Sequence, residues 1–444
     1  MSAPGEFQDL YDHVVTCGKC GFCQPTCPIF RATSREGHVA RGKVALFRNI
    51  IEDKTEIGAD MRDSFSNCLL CRACTENCFT AVRTDQVVIS FRHAYAERFG
   101  RSFLQRRVFR DLLPRPALMR GLVSTVWALR KTGLPDAARR VGLIGLLNPK
   151  LERALDLRLG TPGALLRTRL AKRPQVATSK EGPRVGYWMS CGYNYVLPEV
   201  GEATVRVLED MGATVEVLDN CCCGLAAYGY GDLEGAAKLA RENLRRLGDL
   251  DRFDAIVSEC GSCSGHLKEY PEVLAADPKA AGEAAVTAER LKMKVRSFSE
   301  FVADSGGLGL PSGDETGAVA EVVVTYHDPC HLGRRYQNVV DHPRQLLRSI
   351  PGLTLRELTE SDSCCGAAGT YGVLHPETSA AIIDRKMGFV SATGASVVVT
   401  ECPSCMMQLS YGARRAGLDV EVLNVSQMCE RVAGTRFTSP AKSI

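Results

Sequence analysis

Short, wholly apolar runs alternate with amphipathic stretches through the second half of the chain. FDAIVSEC and ASVVVTEC read as buried strands. RVGYWMSC and EVVVTYHDPC, and then TVEVLDNCCCG and LTLRELTESDSCCG, bring further extended runs up to cysteines. Between these runs, EVGEATVRVLEDMG and EGAAKLARENLRRLG place apolar residues at helical spacing. Strands alternating with helices predict a small parallel α/β sheet in each half, with the cysteines at the carboxyl ends of strands, where such sheets keep their sites. Nearer the N-terminus, RSFLQRRVFRDLL and ALMRGLVSTVWALRK are amphipathic helices, and Pro114 and Pro116 break one from the next. No apolar run approaches the ~18–20 residues of a membrane span.

The strand pattern repeats, and its cysteines repeat with it. Cys191, Cys222-Cys223-Gly224 and Cys260-x2-Cys263 recur as Cys330, Cys364-Cys365-Gly366 and Cys402-x2-Cys405, displaced by 139 to 142 residues. Glu259 and Glu401 stand in equivalent places, and an internal duplication explains the whole set. After each cysteine doublet the chain must turn sharply beside a bulky group, and glycine permits φ > 0 without a Cβ clash. Adjacent cysteines do not readily ligate one iron together, so the doublet points to sulfurs on different irons. A structural zinc site in each half and a strained disulfide within the doublet are the alternatives. Cys221 and Cys429 fall outside the pattern; Cys221 reads as a buried thiol or a spare ligand.

Eight further cysteines form two matching runs. The first is Cys17-x2-Cys20-x2-Cys23-x3-Cys27 before Pro28, and the second is Cys68-x2-Cys71-x2-Cys74-x3-Cys78 before Phe79. This is the spacing by which two-cluster ferredoxins hold a pair of [4Fe–4S] cubanes, the fourth cysteine of each run crossing to the other cluster. Cys17, Cys20, Cys23 and Cys78 would hold one cluster, and Cys68, Cys71, Cys74 and Cys27 the other. Zinc would need no more than two C-x2-C pairs. A disulfide framework is not expected either, because MSAPGEFQDLYDHVV has no charged-then-apolar export signal. The 20 cysteines therefore read as metal ligands in a reducing cytoplasm. Arg41 and Lys43, in HVARGKVALFR between the two runs, either offset cluster charge or begin a solvated helix.

At 444 residues, 45% apolar and 24% charged, the chain can bury several cores. The net charge of +4 conceals an uneven distribution: residues 98–173 hold 18 Lys/Arg against Asp111, Asp136, Glu152 and Asp156, a local excess of +14. That segment reads as a helical connector with solvated basic faces, or as a docking surface for a partner subunit or an anionic membrane. Nucleic acid is not an expected partner, since no recognition motif accompanies the charge. No G-x-G-x-x-G follows a strand, and neither GLIGLLNP nor SGGLGLPSG is a phosphate loop; the latter reads as a linker between the repeats.

CGKCGFCQPTCP, HVARGKVALFR, HDPCHLGR and CCGAAGTYGVLHPE, with the cysteine order above, resemble the iron–sulfur subunits of glycolate oxidase (glycolate dehydrogenase). The duplicated half is similar to the CCG domains of heterodisulfide reductase and its relatives. Anaerobic glycerol-3-phosphate dehydrogenase and D-lactate dehydrogenase iron–sulfur subunits share the order. The resemblance implies an α-helical two-[4Fe–4S] ferredoxin module (residues 1–97), a basic helical connector (98–184) and two duplicated α/β CCG domains (185–305 and 320–435). It implies an electron-transfer subunit of an FAD-linked 2-hydroxy acid dehydrogenase, with FAD on a separate subunit and a quinone or other acceptor. It also implies a cytoplasmic chain, peripheral contact with the inner face of the cell membrane staying open. CCG domains of the heterodisulfide-reductase type hold noncubane [4Fe–4S] clusters through five cysteines. Cys191, Cys222, Cys223, Cys260 and Cys263, and Cys330, Cys364, Cys365, Cys402 and Cys405, are complete sets. Many glycolate-oxidase-type subunits lack a cysteine of the last pair in the second half. Its presence here keeps a heterodisulfide-like thiol–disulfide oxidoreductase open as the other function. No catalytic residue is singled out; His327 and His331 flank Cys330 either to tune or protonate a cluster-bound species or as hydrogen-bonded loop histidines.

Overall fold

The computed structural model describes residues 7–140, 152, 155, 163–173, 182–275, 277, 282–308 and 322–433. GLIGLLNP and most of SGGLGLPSG lie outside them.

Each half of the duplication folds as a four-stranded, all-parallel sheet. In the first repeat β1 (Arg184–Tyr187), β2 (Thr214–Val217), β3 (Ala255–Ser258) and β4 (Val295–Ser297) lie in the order β2-β1-β3-β4. In the second, β5 (Val322–Tyr326), β6 (Leu353–Leu355), β7 (Val397–Thr400) and β8 (Glu421–Asn424) lie in the order β6-β5-β7-β8. The continuous apolar runs AIVS and VVVT become β3 and β7, buried along their whole length as expected of strands covered on both faces. The register repeats as well: Gly186 pairs with Ile256 in one sheet and Thr325 with Val398 in the other. The predicted helices form at Pro198–Asp210 and Leu233–Leu247.

The two repeats share one core by exchanging their last helices. Phe298–Asp304, which follows β4, packs on Asp341–Ser349 of the second repeat, while Val425–Ala433, which follows β8, packs on Pro198–Asp210 of the first. Phe298 and Val302 meet Leu346 and Leu347 in this core, and Val207 and Leu208 lie there with Met428 and Cys429. Fully burying one such side chain contributes about 1.5–3 kcal/mol. A surface ion pair such as Arg206–Glu430 contributes ~0–1 kcal/mol, so burial joins the repeats. Cys429 is a core thiol apart from both cysteine sets, and burial raises it above the usual thiol range.

The N-terminal module has its own core of Val14, Val44, Phe47, Phe65 and Phe91, with Phe65 and Phe91 stacked at 3.6 Å between centroids. It docks on both repeats through Arg72, whose guanidinium bonds Asp85 at 2.8 Å and Glu269 at 2.6 Å and lies 3.6 Å from the centre of the Tyr336 ring. Arg92 donates to the Gly229 carbonyl at 2.6 Å, and Tyr371 donates to Asn67 Oδ1 at 3.0 Å.

Over its described residues the connector is mostly helical, with Pro116 at the first turn of helix Pro116–Lys131 as the proline break requires. Its basic residues are not all solvated. Phe109 buries in the core of the first repeat, and Arg101 and Arg110 converge on Asp232. Asp232 is fully buried and also accepts from Gly235 N–H as the cap of helix Leu233–Leu247. Leu118, Leu122, Val126 and Leu129 remain exposed along one stripe of the connector helix.

Candidate metal centres

The fold gathers the cysteines at turns. Cys27 caps helix Pro28–Thr33, its Sγ accepting from Phe30 N–H at 3.4 Å, and Pro28 in the first turn sends the chain away from the preceding run. Cys27, Cys68 and Cys74 become neighbours around Lys43, which is 2% exposed and donates to the His38 carbonyl. The solvated-helix reading of Lys43 therefore fails: burial pushes its ammonium below the usual lysine range, and the sulfurs pull it back up. Arg41 is half-exposed, pairs with Glu36 and lies beside Cys17 and Cys23. Cys20 is exposed. Asn77 donates to the Phe22 carbonyl at 2.7 Å and Phe79 meets Phe22 edge-on at 5.1 Å, bringing the Cys78 loop to that of Cys23.

In the repeats the prediction about strand ends holds. Cys191, Cys222-Cys223 and Cys260 follow β1, β2 and β3; Cys330, Cys364-Cys365 and Cys402 follow β5, β6 and β7. Gly224 and Gly366 adopt φ of +100° and +87° directly after the doublets, the left-handed turn expected there. A Cβ on Gly366 would also come within 3.2 Å of Ile382.

What the spacing did not reveal is that the two sets meet. Neighbouring thiols form one line: Cys191, Cys222, Cys223, Cys263 and Cys260, then across the repeat boundary to Cys402, Cys405, Cys365, Cys364 and Cys330. The Cys365 and Cys405 sulfurs are 3.6 Å apart. Cys71 of the N-terminal module is an electrostatic neighbour of both Cys364 and Cys330, packed with Ile29, Tyr371 and Ile382. Cys221 stands outside the line, its thiol donating to Asn243 Oδ1 at 3.3 Å. All twenty cysteines are free.

The surroundings are dry and polar at chosen points. Glu259 and Glu401 directly follow β3 and β7 beside the Cys260–Cys402 contact, and burial pushes both carboxyls up to about 8. Glu259 accepts from Tyr187 O–H at 2.8 Å; Glu401 accepts from Ser299 N–H at 3.1 Å and Ser299 O–H at 2.8 Å, tying the repeats together. His331 lies 3.3 Å from Ser262 Oγ and 3.9 Å from Cys330 Sγ. His327 is fully buried, and burial pushes it down to about 4, so it is neutral. At the outer end, Cys191 and Cys222 open into a cleft with Arg120, Met119, Leu165 and Arg167. Neither Arg120 nor Arg167 carries a sequence signal, because the cleft exists only where the connector packs on the first repeat.

These donors suit soft, sulfur-bound metal. Hydrogen bonds from neighbouring thiols push Cys223, Cys364 and Cys402 well below the usual thiol range and Cys263 and Cys405 well above it. So dense a buried set cannot ionise together unless cations take up the charge. Among the described residues, His327, Cys365 and Cys405 also bring a nitrogen and two sulfurs within 4.8 Å of one another.

Fold and cysteine placement together define an iron–sulfur electron-transfer protein: a dicluster ferredoxin module joined to a duplicated cysteine-rich domain. The comparisons agree part by part. Residues 13–82 match the 4Fe-4S dicluster domain, 185–268 and 324–410 the cysteine-rich domain, and 100–156 the linker region of the glycolate oxidase iron-sulfur subunit. The protein described as "Probable glycolate oxidase iron-sulfur subunit" of Bacillus subtilis (strain 168) is 31% identical over 443 residues, covering 97% of this chain and 96% of its own. The chain belongs to the family of glycolate oxidase iron–sulfur subunits. Lactate utilization protein A of Shouchella clausii is 32% identical over 55% of this chain and 97% of its own length. A fumarate reductase (CoM/CoB) subunit of Methanothermobacter marburgensis is 31% identical over 56% of this chain and 46% of its own. A crystal structure of a hypothetical protein from Helicobacter pylori shares the fold over 96% of this chain and 75% of its own, with a TM-score of 0.51 and 8% identity. Among the described residues no helix is long and apolar enough to cross a membrane.

Proposed function

We propose that this chain is the electron-conducting subunit of an FAD-linked 2-hydroxy acid dehydrogenase acting on glycolate or D-lactate, with the flavin on a partner subunit and a quinone or another small molecule as acceptor. Clusters held by its cysteines supply one-electron redox steps. Cys17, Cys20, Cys23 and Cys78 hold the first [4Fe–4S] cluster, and Cys27, Cys68, Cys71 and Cys74 the second. Cys330, Cys364, Cys365, Cys402 and Cys405 hold the third centre, and Cys191, Cys222, Cys223, Cys260 and Cys263 the fourth. The observation that carries the reading is the order of these sets in space. Cys71 lies beside Cys364 and Cys330, and Cys402 beside Cys260, so the sets run from exposed Cys20 to exposed Cys191.

The residues between the sets serve that passage. Arg72 fixes the N-terminal module against the repeats, and Lys43 and Arg41 offset negative charge at its two cysteine sets. The cleft at Cys191 offers the Arg120 guanidinium and an apolar wall, which suit a carbonyl or carboxylate on an apolar molecule, while Arg167 is held by the Leu218 carbonyl at 3.1 Å and by Asp219. The same cleft favours the second reading, a heterodisulfide-type oxidoreductase in which the substrate meets the sulfur set of the first repeat directly.

Anaerobic purification of the complex from its own cells separates the two. Bound flavin and dye reduction driven by glycolate or D-lactate are expected. Absence of flavin, with disulfide-dependent oxidation of a reduced dye by the chain alone, would replace the first reading with the second.

A further inference from the structure

Among the places where the two repeats differ beside the sulfur sets is the residue that follows the first strand of each. Trp188 follows β1 and His327 follows β5, in the same place: Trp188 N–H bonds the Val257 carbonyl at 2.9 Å and His327 N–H bonds the Val399 carbonyl at 2.9 Å. Both side chains are fully buried. Trp188 Nε1–H can only donate, whereas a neutral imidazole keeps one lone pair.

The lone pair on His327 can be placed. Nδ1 lies 3.0 Å from the Ser361 carbonyl oxygen, which only accepts, so Nδ1 carries the proton and Nε2 the lone pair. Nε2 is buried without a hydrogen-bond partner. The imidazole and the Cys365 and Cys405 sulfurs, 3.6 Å apart, meet within 4.8 Å. No thiol is placed to donate to that nitrogen. An orphaned acceptor among ligating sulfurs calls for a Lewis acid, and a carbonyl holding the far ring nitrogen is the arrangement that orients histidine ligands on metals.

We propose that His327 Nε2 is a metal ligand of the second cysteine-rich site, giving it a mixed nitrogen–sulfur donor set where the first site has sulfur alone. The inference rests on the reading that these cysteines hold metal. A neutral imidazole adds a nitrogen donor to the five cysteines without adding negative charge.

The test is pulsed electron paramagnetic resonance on the anaerobically prepared full chain, with and without ¹⁵N-imidazole histidine, across a redox titration. A directly coordinated nitrogen that shifts on labelling is expected. It disappears in His327→Cys with metal content retained, and persists in Trp188→Phe and His331→Leu. If zinc occupies the site, the same ligand is expected as a Zn–N distance of about 2.0–2.1 Å in zinc-edge absorption, lost in the same variant. Full metal content with no coordinated histidine nitrogen, or a nitrogen that survives His327→Cys, would overturn the inference alone. Iron and zinc contents that do not change in Cys365→Ala would overturn the parent reading with it. The wild-type labelled spectrum decides even if a variant fails to fold.

Discussion

The two cysteine-rich repeats carry the same five cysteines, the same strand order and the same left-handed glycine turn, but they face different surroundings. The second repeat looks inward: Cys330 and Cys364 lie beside Cys71, Tyr371 bonds Asn67, and Tyr336 lies against Arg72. The first looks outward: Cys191 is exposed, and the connector forms one wall of the cleft above it. Duplication supplied one scaffold twice, and what packs on each copy assigns its place. The inner copy joins the ferredoxin module to the line of thiols, and the outer copy brings that line to the surface.

The largest expected effect comes from cutting the inner copy. Cys365→Ala should remove about four irons, the content of one cluster, and leave the N-terminal clusters reducible by dithionite but no longer able to reduce an acceptor. Cys223→Ala should remove as many irons from the outer copy while electrons still reach the second repeat. Stopped-flow spectra of cluster re-oxidation distinguish the two; equal behaviour of both variants would break the inward–outward assignment.

Next in size is Arg72→Leu. Asp85 and Glu269 would lose the guanidinium they share while staying buried or nearly so, and breaking such a pair costs about 3–5 kcal/mol. The loss should appear as faster hydrogen exchange in helix Thr84–Phe99 and in Gly261–Lys268, with little change in Leu233–Leu247.

The outer copy has a weaker anchor in Asp232. Asp232→Ala removes a helix cap and leaves Arg101 and Arg110 short of a partner, for about 2–3 kcal/mol, since Arg110 keeps Glu234. Chemical denaturation should show the loss, and hydrogen exchange should place it at the connector and not at the N-terminal module.

How much of this was legible follows from the range of each signal. FDAIVSEC, ASVVVTEC and the CCG turns were readable because strand period, cysteine spacing and glycine φ are local properties. The Cys260–Cys402 contact was not, because it arises where Phe298–Asp304 and Val425–Ala433 cross between repeats, and neither helix advertises its partner. Lys43 read equally well as a solvated residue; only tertiary packing buries it among Cys27, Cys68 and Cys74. The difference between Trp188 and His327 stood in the sequence, yet it gains meaning only once the Ser361 carbonyl fixes the tautomer.

The smallest effect on stability should give the sharpest test of the outward face. Arg120 lines the cleft from the connector helix and is exposed, so Arg120→Leu should change stability by no more than about 0.5 kcal/mol. If its guanidinium donates to a carbonyl or carboxylate of the acceptor, losing that bond at an exposed rim costs about 1 kcal/mol, roughly a fivefold rise in KM. The rise should appear with the physiological acceptor and not with a dye that is reduced at the N-terminal module. A change in kcat with both acceptors would instead place Arg120 in the support of the first repeat and remove the cleft from the route.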